Sequence, residues 1–105
     1  MRIWIDDVRP APIDYVRCRT VNEAKSRILA YEHLKELGFF DMDIELIDID
    51  HDAGDYVNDG GDYIRLLDWL EETGRDYPIR IHSMNPVGRD NMRRIIEKNG
   101  WKEIR

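Results

Sequence analysis

The chain has 105 residues, 36% of them charged, and a net charge of −6. That length gives one domain over residues 1–105 with a modest core, and the negative balance excludes a general nucleic-acid surface, which would be basic. No apolar run approaches membrane-spanning length, and Met1-Arg2-Ile3-Trp4-Ile5-Asp6 lacks the long apolar region of a signal peptide, so a cytoplasmic protein with no membrane partner is expected.

Arg2–Ile5 reads as a short apolar strand that ends at Asp6-Asp7. Val8-Arg9-Pro10-Ala11-Pro12 then breaks regular structure, because proline has no amide donor and restricts the residue before it. A second strand is expected at about Tyr15–Arg19, with the single cysteine, Cys18, as a buried inert thiol that has no disulfide partner. Thr20-Val21-Asn22-Glu23 is a capping box and predicts a helix to Leu37, with Ala24, Ile28 and Tyr31 on one stripe and Gly38 as the stop. The third strand is Ile44–Ile49, and a loop rich in Asp, Asn and Gly follows at Asp55–Gly61. Asp62 is expected to cap a second helix, whose apolar face draws on Ile64, Leu67, Trp69 and Leu70 and which stops at Gly74. Pro78–His82 is the fourth strand. Asn85 then caps a third helix with Pro86 at its first position. Met92, Ile95 and Ile96 give that helix its inward face, Gly100 ends it, and Trp101–Ile104 reads as a fifth strand.

The order β-β-α-β-α-β-α-β implies right-handed crossovers and a three-layer α/β/α fold around a mainly parallel, five-stranded sheet. In a flavodoxin-like order the first and third strands are neighbours at the switch point, and the fourth lies beside the third. Asp6, Asp7, Asp50 and His82 would then meet at the carboxyl edge of the sheet, where such folds bind ligands.

Between Asp41 and Asp62 there are nine Asp or Glu residues and no Lys or Arg. Such a stretch is either a solvated acidic face or part of a site that needs a cation. Crowded carboxylates repel, and one is driven protonated unless a cation joins them. Asp6, Asp7, Asp50 and Asp52 are the candidate metal ligands; their hard oxygens favour Mg²⁺, Ca²⁺ or Mn²⁺, and Mg²⁺ or Mn²⁺ is the expected cofactor. The plain alternative is that Asp7 caps the following turn and Asp50 bonds local backbone. His51 is either a surface residue between two acids or an acid/base group, since imidazoles transfer protons near neutral pH. His82-Ser83-Met84-Asn85-Pro86-Val87-Gly88 brings an imidazole, a hydroxyl and an amide to a helix start, whose free amides and dipole favour a phosphate. Ser83, Asn85 and Arg89 are the candidate phosphate-binding residues. His82, His51 and Asp50 are the candidate catalytic ones. The alternative is a capped helix after a strand, with His82 satisfied by a core carbonyl. Phosphate-loop, dinucleotide and serine-elbow patterns are absent.

Four segments together carry a resemblance: Trp4-Ile5-Asp6-Asp7-Val8-Arg9-Pro10-Ala11-Pro12, Asp50-His51-Asp52-Ala53-Gly54, Gly61-Asp62-Tyr63, and His82–Gly88 with Asn91-Met92. On these residues the chain resembles the cyclic-phosphate processing receiver domain family over nearly its whole length. The resemblance implies a receiver-type, flavodoxin-like fold in which the Pro-rich segment replaces the first crossover helix. It also implies that Asp6, Asp7 and Asp50 match the positions where ordinary receivers hold Mg²⁺, the last of them being the phosphoryl acceptor. His82-Ser83 departs from those receivers, which have a small hydroxyl residue alone there, and the usual Lys after the last strand is missing. The implied activity is the processing of cyclic phosphates, such as cyclic nucleotides or 2′,3′-cyclic phosphate ends, and with the candidate metal ligands above the expected function is a metal-dependent phosphoesterase. Its partner would be a phosphate-containing small molecule or nucleotide end, with a protein partner as a further expectation. The alternative is a non-catalytic receiver-like phosphoacceptor or ligand-binding signalling module.

Overall fold

In the computed structural model, which describes residues 1–105, four strands and three helices alternate after an opening pair of strands. The elements are β1 (Arg2–Ile5), β2 (Tyr15–Cys18), α1 (Val21–Glu36), β3 (Leu46–Ile49), α2 (Ile64–Glu72), β4 (Ile79–Ile81) and α3 (Pro86–Asn99), with a short 3-10 turn at Gly54–Tyr56. All strands are parallel, in the order β2-β1-β3-β4. No helix joins β1 to β2.

Side chains alternate across each strand. Ile3, Ile5, Ile47, Ile49 and Ile79 face one way and are fully buried. They form one cluster with Ala24 and Ile28 of α1, Leu66, Leu67 and Leu70 of α2, and Met92 and Ile96 of α3. Each such buried Ile or Leu contributes roughly 1.5–3 kcal/mol. Trp4 stands on the opposite face and is not part of that cluster.

The expected three layers are therefore two. The reason lies in the crossover directions. From β2 the chain steps across β1 to β3 through α1, then to β4 through α2, always in the same sense. Right-handed crossovers that travel one way stack every helix on one face. Only the β1-to-β2 connection travels the other way, and it holds no helix.

The expected fifth strand is a single bridge, Ile79 with Glu103. The Trp101 amide still donates to Ile96 O, closing α3, so the segment reaches the sheet edge only at Lys102, whose carbonyl accepts from Ile79 N at 2.9 Å. Thr20 caps α1 as expected, its Oγ accepting from Glu23 N at 2.9 Å. Asn85 likewise caps α3, accepting from Gly88 N at 3.1 Å. Asp62 does not cap α2. Its Oδ1 is turned back to Ala53 N at 3.1 Å, which ties the acidic loop to the helix start. No helix is long and apolar enough to cross a membrane.

Candidate functional site

The strand register builds the site. Ile5 lies beside Ile49, and Ile49 beside Ile81. Asp6, Asp50 and His82 are the next residues of these three strands, so they emerge together at the carboxyl edge. The ladder continues through them: Asp50 N donates to Ile5 O at 2.9 Å and His82 N to Ile49 O at 3.0 Å. One ligand atom from each of the three side chains lies within 4.8 Å of the other two. By alternation these residues share the helix-free face with Trp4 and Asp48.

Asp6 is 1% exposed and organises the turn after β1. Its Oδ1 accepts from the amides of Val8 and Arg9, each at 2.8 Å. Its Oδ2 lies 2.9 Å from His82 Nε2 and 3.6 Å from Arg9 Nη1. Burial pushes the Asp6 carboxyl up, but the two amides and His82 outweigh it, and the net shift is downward. The turn-capping residue is therefore Asp6 and not Asp7.

His82 is the most constrained side chain of the group. Its Nδ1 lies 2.7 Å from Oδ1 of Asp48, which is fully buried within β3. The ring stacks on Trp4, with centroids 3.9 Å apart and planes 2° from parallel. Trp4 is itself held by its Nε1, which donates to Arg9 O at 3.1 Å. Each His82 ring nitrogen thus faces a carboxylate oxygen within hydrogen-bond distance. The expected core carbonyl partner is replaced by two buried carboxylates. Arg80 Nη1 stands 3.5 Å from the second Asp48 oxygen.

Asp50 Oδ1 accepts from the amide of His51 at 2.8 Å, which steadies the loop. Asp52 does not join the convergent group. It is exposed, and its Oδ1 lies 2.8 Å from His51 Nδ1. The His51 ring rests on the first turn of α3, where Gly88 leaves room: a Cβ there would fall 2.4 Å from His51 Cγ. Asp7 is partly buried behind the group, its Oδ2 against Gly54, whose φ of +56° is in the left-handed region that favours glycine. Burial raises the Asp7 carboxyl, and the charges of Asp6, Asp50 and Asp52 raise it further.

The expected phosphate cradle is partly occupied by its own residues. The Asn85 side chain takes Gly88 N, and Ser83 Oγ accepts from Asn85 N at 3.1 Å. Ser83 is 4% exposed, and Arg89 is exposed. Sequence reasoning missed Asp48, Trp4, Arg9 and Gly88. A signal existed for Asp48, an acid flanked by Ile47 and Ile49 in a buried strand. For Arg9 it was the only cation within the Pro-rich segment. The largest surface depression, about 520 Å³, lies at the other end of the strands, against Arg2, Tyr15 and Leu46. Asp6, Asp50 and His82 do not line it.

No curated protein and no solved structure matches the chain. A family model described as the cyclic-phosphate processing receiver domain matches residues 1–98. The match takes in Asp6, Asp50 and His82 together with all four strands and most of α3. The chain therefore belongs to the cyclic-phosphate processing receiver domain family.

Proposed function

We propose that the protein is a metal-dependent phosphoesterase that opens a cyclic phosphate. The observation that carries the reading is the convergence of Asp6, Asp50 and His82 to within 4.8 Å. Two carboxylates and an imidazole whose second nitrogen is held by Asp48 form a donor set that suits a divalent ion. The imidazole moves the preference from Mg²⁺ toward Mn²⁺ or Zn²⁺. When bound, such an ion supplies charge stabilisation at a phosphoryl oxygen and a more acidic water.

The remaining side chains have separable tasks. His51 is oriented by Asp52 through Nδ1, which leaves Nε2 to hold or release a proton. Arg9, half-exposed beside Asp6, offers a guanidinium to a phosphate oxygen. Ser83 keeps its hydroxyl hydrogen for a second oxygen, because its bond with Asn85 uses Oγ as an acceptor. In the reaction, water oxygen attaches to phosphorus and one ring P–O bond breaks. The leaving oxygen takes a proton, and a phosphomonoester remains. Asp7 stands behind the group as an added negative charge that a bound cation would relieve.

The test is a panel of cyclic nucleotides and 2′,3′-cyclic-ended RNA, incubated with and without Mn²⁺ or Mg²⁺ and read by chromatography of the products. Metal-dependent conversion to monoester is expected. No turnover across the panel, in a protein that melts cooperatively, removes the enzyme reading. A stable acyl phosphate formed from a small phosphodonor and lost in Asp50→Asn would replace it with the phosphoacceptor.

A further inference from the structure

Asp48 has no assigned task, and its position is costly. It lies in the middle of β3, fully buried, where a carboxylate must be desolvated. Buried ion pairs can be exchanged for apolar residues without loss of stability, so stability alone gives no reason for an acid here. Its partners are His82 Nδ1 at 2.7 Å and the half-exposed Arg80 at 3.5 Å. We infer that Asp48 is the positioning residue for His82: it holds Nδ1–H and so delivers Nε2 to the pocket formed by Asp6 and Asp50.

Two geometric facts support this beyond the single bond. The Trp4 ring, parallel to His82 within 2° and 3.9 Å away, fixes the plane of the imidazole. Within that plane the only other seating is a half-turn about the Cβ–Cγ bond. The half-turn would bring ring carbons to the two carboxylates and leave both Asp6 and Asp48 without their imidazole partner. Asp48 at one nitrogen and Asp6 at the other therefore select one orientation and one nitrogen. Strand alternation explains why the arrangement closes. Asp48 lies within β3 and Asp50 directly follows its end, two residues on and toward the same side. A carboxylate behind a ligating imidazole fixes its tautomer, and its loss typically weakens metal affinity about 10–100-fold.

The role of Asp48 as a support for a metal-binding nitrogen rests on the proposed function, but its hold on Nδ1 does not, and the experiment separates the two. Protein labelled with ¹⁵N-histidine has only three imidazoles, His33, His51 and His82, to assign by long-range ¹H–¹⁵N correlation. In the unaltered protein His82 is expected to show a protonated, strongly hydrogen-bonded Nδ1. Asp48→Asn should lose that signature. Titrating Zn²⁺ should move Nε2 while Nδ1 keeps its proton, and the Asn variant should bind zinc about 10–100-fold more weakly. An unchanged Nδ1 signal in Asp48→Asn, or zinc seated on Nδ1, overturns the inference. Where Asp48→Asn fails to fold, Asp48→Leu, of the same branched shape, removes the buried charge and carries the same comparison. Absence of zinc binding to the unaltered protein refutes the metal reading of the site, while the Nδ1 comparison still decides the role of Asp48.

Discussion

Gly88→Ala should destabilise the protein, against the usual trend for a helix. Gly88 lies in the first turn of α3 with ordinary helical backbone, where exchanging Gly for Ala normally adds about 0.5–1 kcal/mol. Here the new Cβ would stand 2.4 Å from His51 Cγ, 2.6 Å from Cδ2 and 2.9 Å from Nδ1. Ordinary carbon contacts are about 3.5–4.0 Å, so the ring must retreat by roughly 1 Å. The atoms in the way are at the base of the ring, so a small swing of its tip gives no relief. Overpacking of this kind costs about 1–3 kcal/mol. Set against the helix gain, the net loss is roughly 0–2.5 kcal/mol. In a His51→Ala background the obstruction is gone, and the same substitution should stabilise by about 0.5–1 kcal/mol. Urea denaturation of the four proteins then gives a coupling energy of about 1–3 kcal/mol. If His51 moves protons as proposed, a displacement near 1 Å should also lower turnover about 10²-fold in the single variant. A coupling below about 0.5 kcal/mol is within simple additivity and would refute the packing of His51 on Gly88.

His82→Ala removes the shared partner of two buried carboxylates and should cost about 3–5 kcal/mol, read as a lower urea midpoint; a midpoint equal to that of the unaltered protein contradicts the Asp6–His82–Asp48 clamp. Asp7 has a raised folded-state pKa, so its ionised form opposes folding at neutral pH and this opposition fades as pH falls through the folded value toward the unfolded one. Asp7→Asn should therefore raise the Tm at about pH 7 in chelator, with the gain shrinking toward about pH 3. Asp6 has the opposite sign: its depressed pKa contributes stability that is present above the ordinary carboxylate value of about 3.9 and is lost as pH falls through the lower folded value. Asp6→Asn should flatten that acid limb in a Tm-against-pH series, and an unchanged limb would count against the assignment. Cys18 is fully buried and its thiol is pushed up to about 11, chiefly by burial and then by Glu23, so a thiol reagent at neutral pH should modify it only after urea unfolds the chain.

How far the sequence could be read follows from which features are local. Thr20 and Asn85 cap their helices as the residues suggest, because a cap needs only its own first turn. Arg2–Ile5 is a strand as read, the expected Ile44–Ile49 strand begins only at Leu46, and the neighbouring of β1 and β3 follows from the expected order. Asp62 misleads because its side chain has a competing amide, that of Ala53, nine residues back in the loop. The fifth strand fails because α3 keeps the backbone of Trp101 and leaves little chain to pair. The third layer was an error of direction: alternation predicts helices, but only the sense of each crossover tells which face receives them.

Asp48 shows the same limit on a smaller scale. Read in chain order it is one of nine acids in a long acidic stretch. Read against the strand it is an anion between two buried isoleucines, and such an anion requires a cationic or donor partner in the adjoining rows. The register supplies two, Arg80 directly across β4 and His82 two residues on. Distance and exposure decide between them: the imidazole is nearer and almost buried, whereas the guanidinium is half in water, where its pairing is screened. Nothing local in the sequence could set the ring of His82 on Trp4, since that contact joins residues of the first and fourth strands through a rotamer chosen by the clamp itself. The seating of His82 thus involves one buried carboxylate that lies outside the acidic pair and outside the histidine segment, and a sequence search confined to strand ends passes over it.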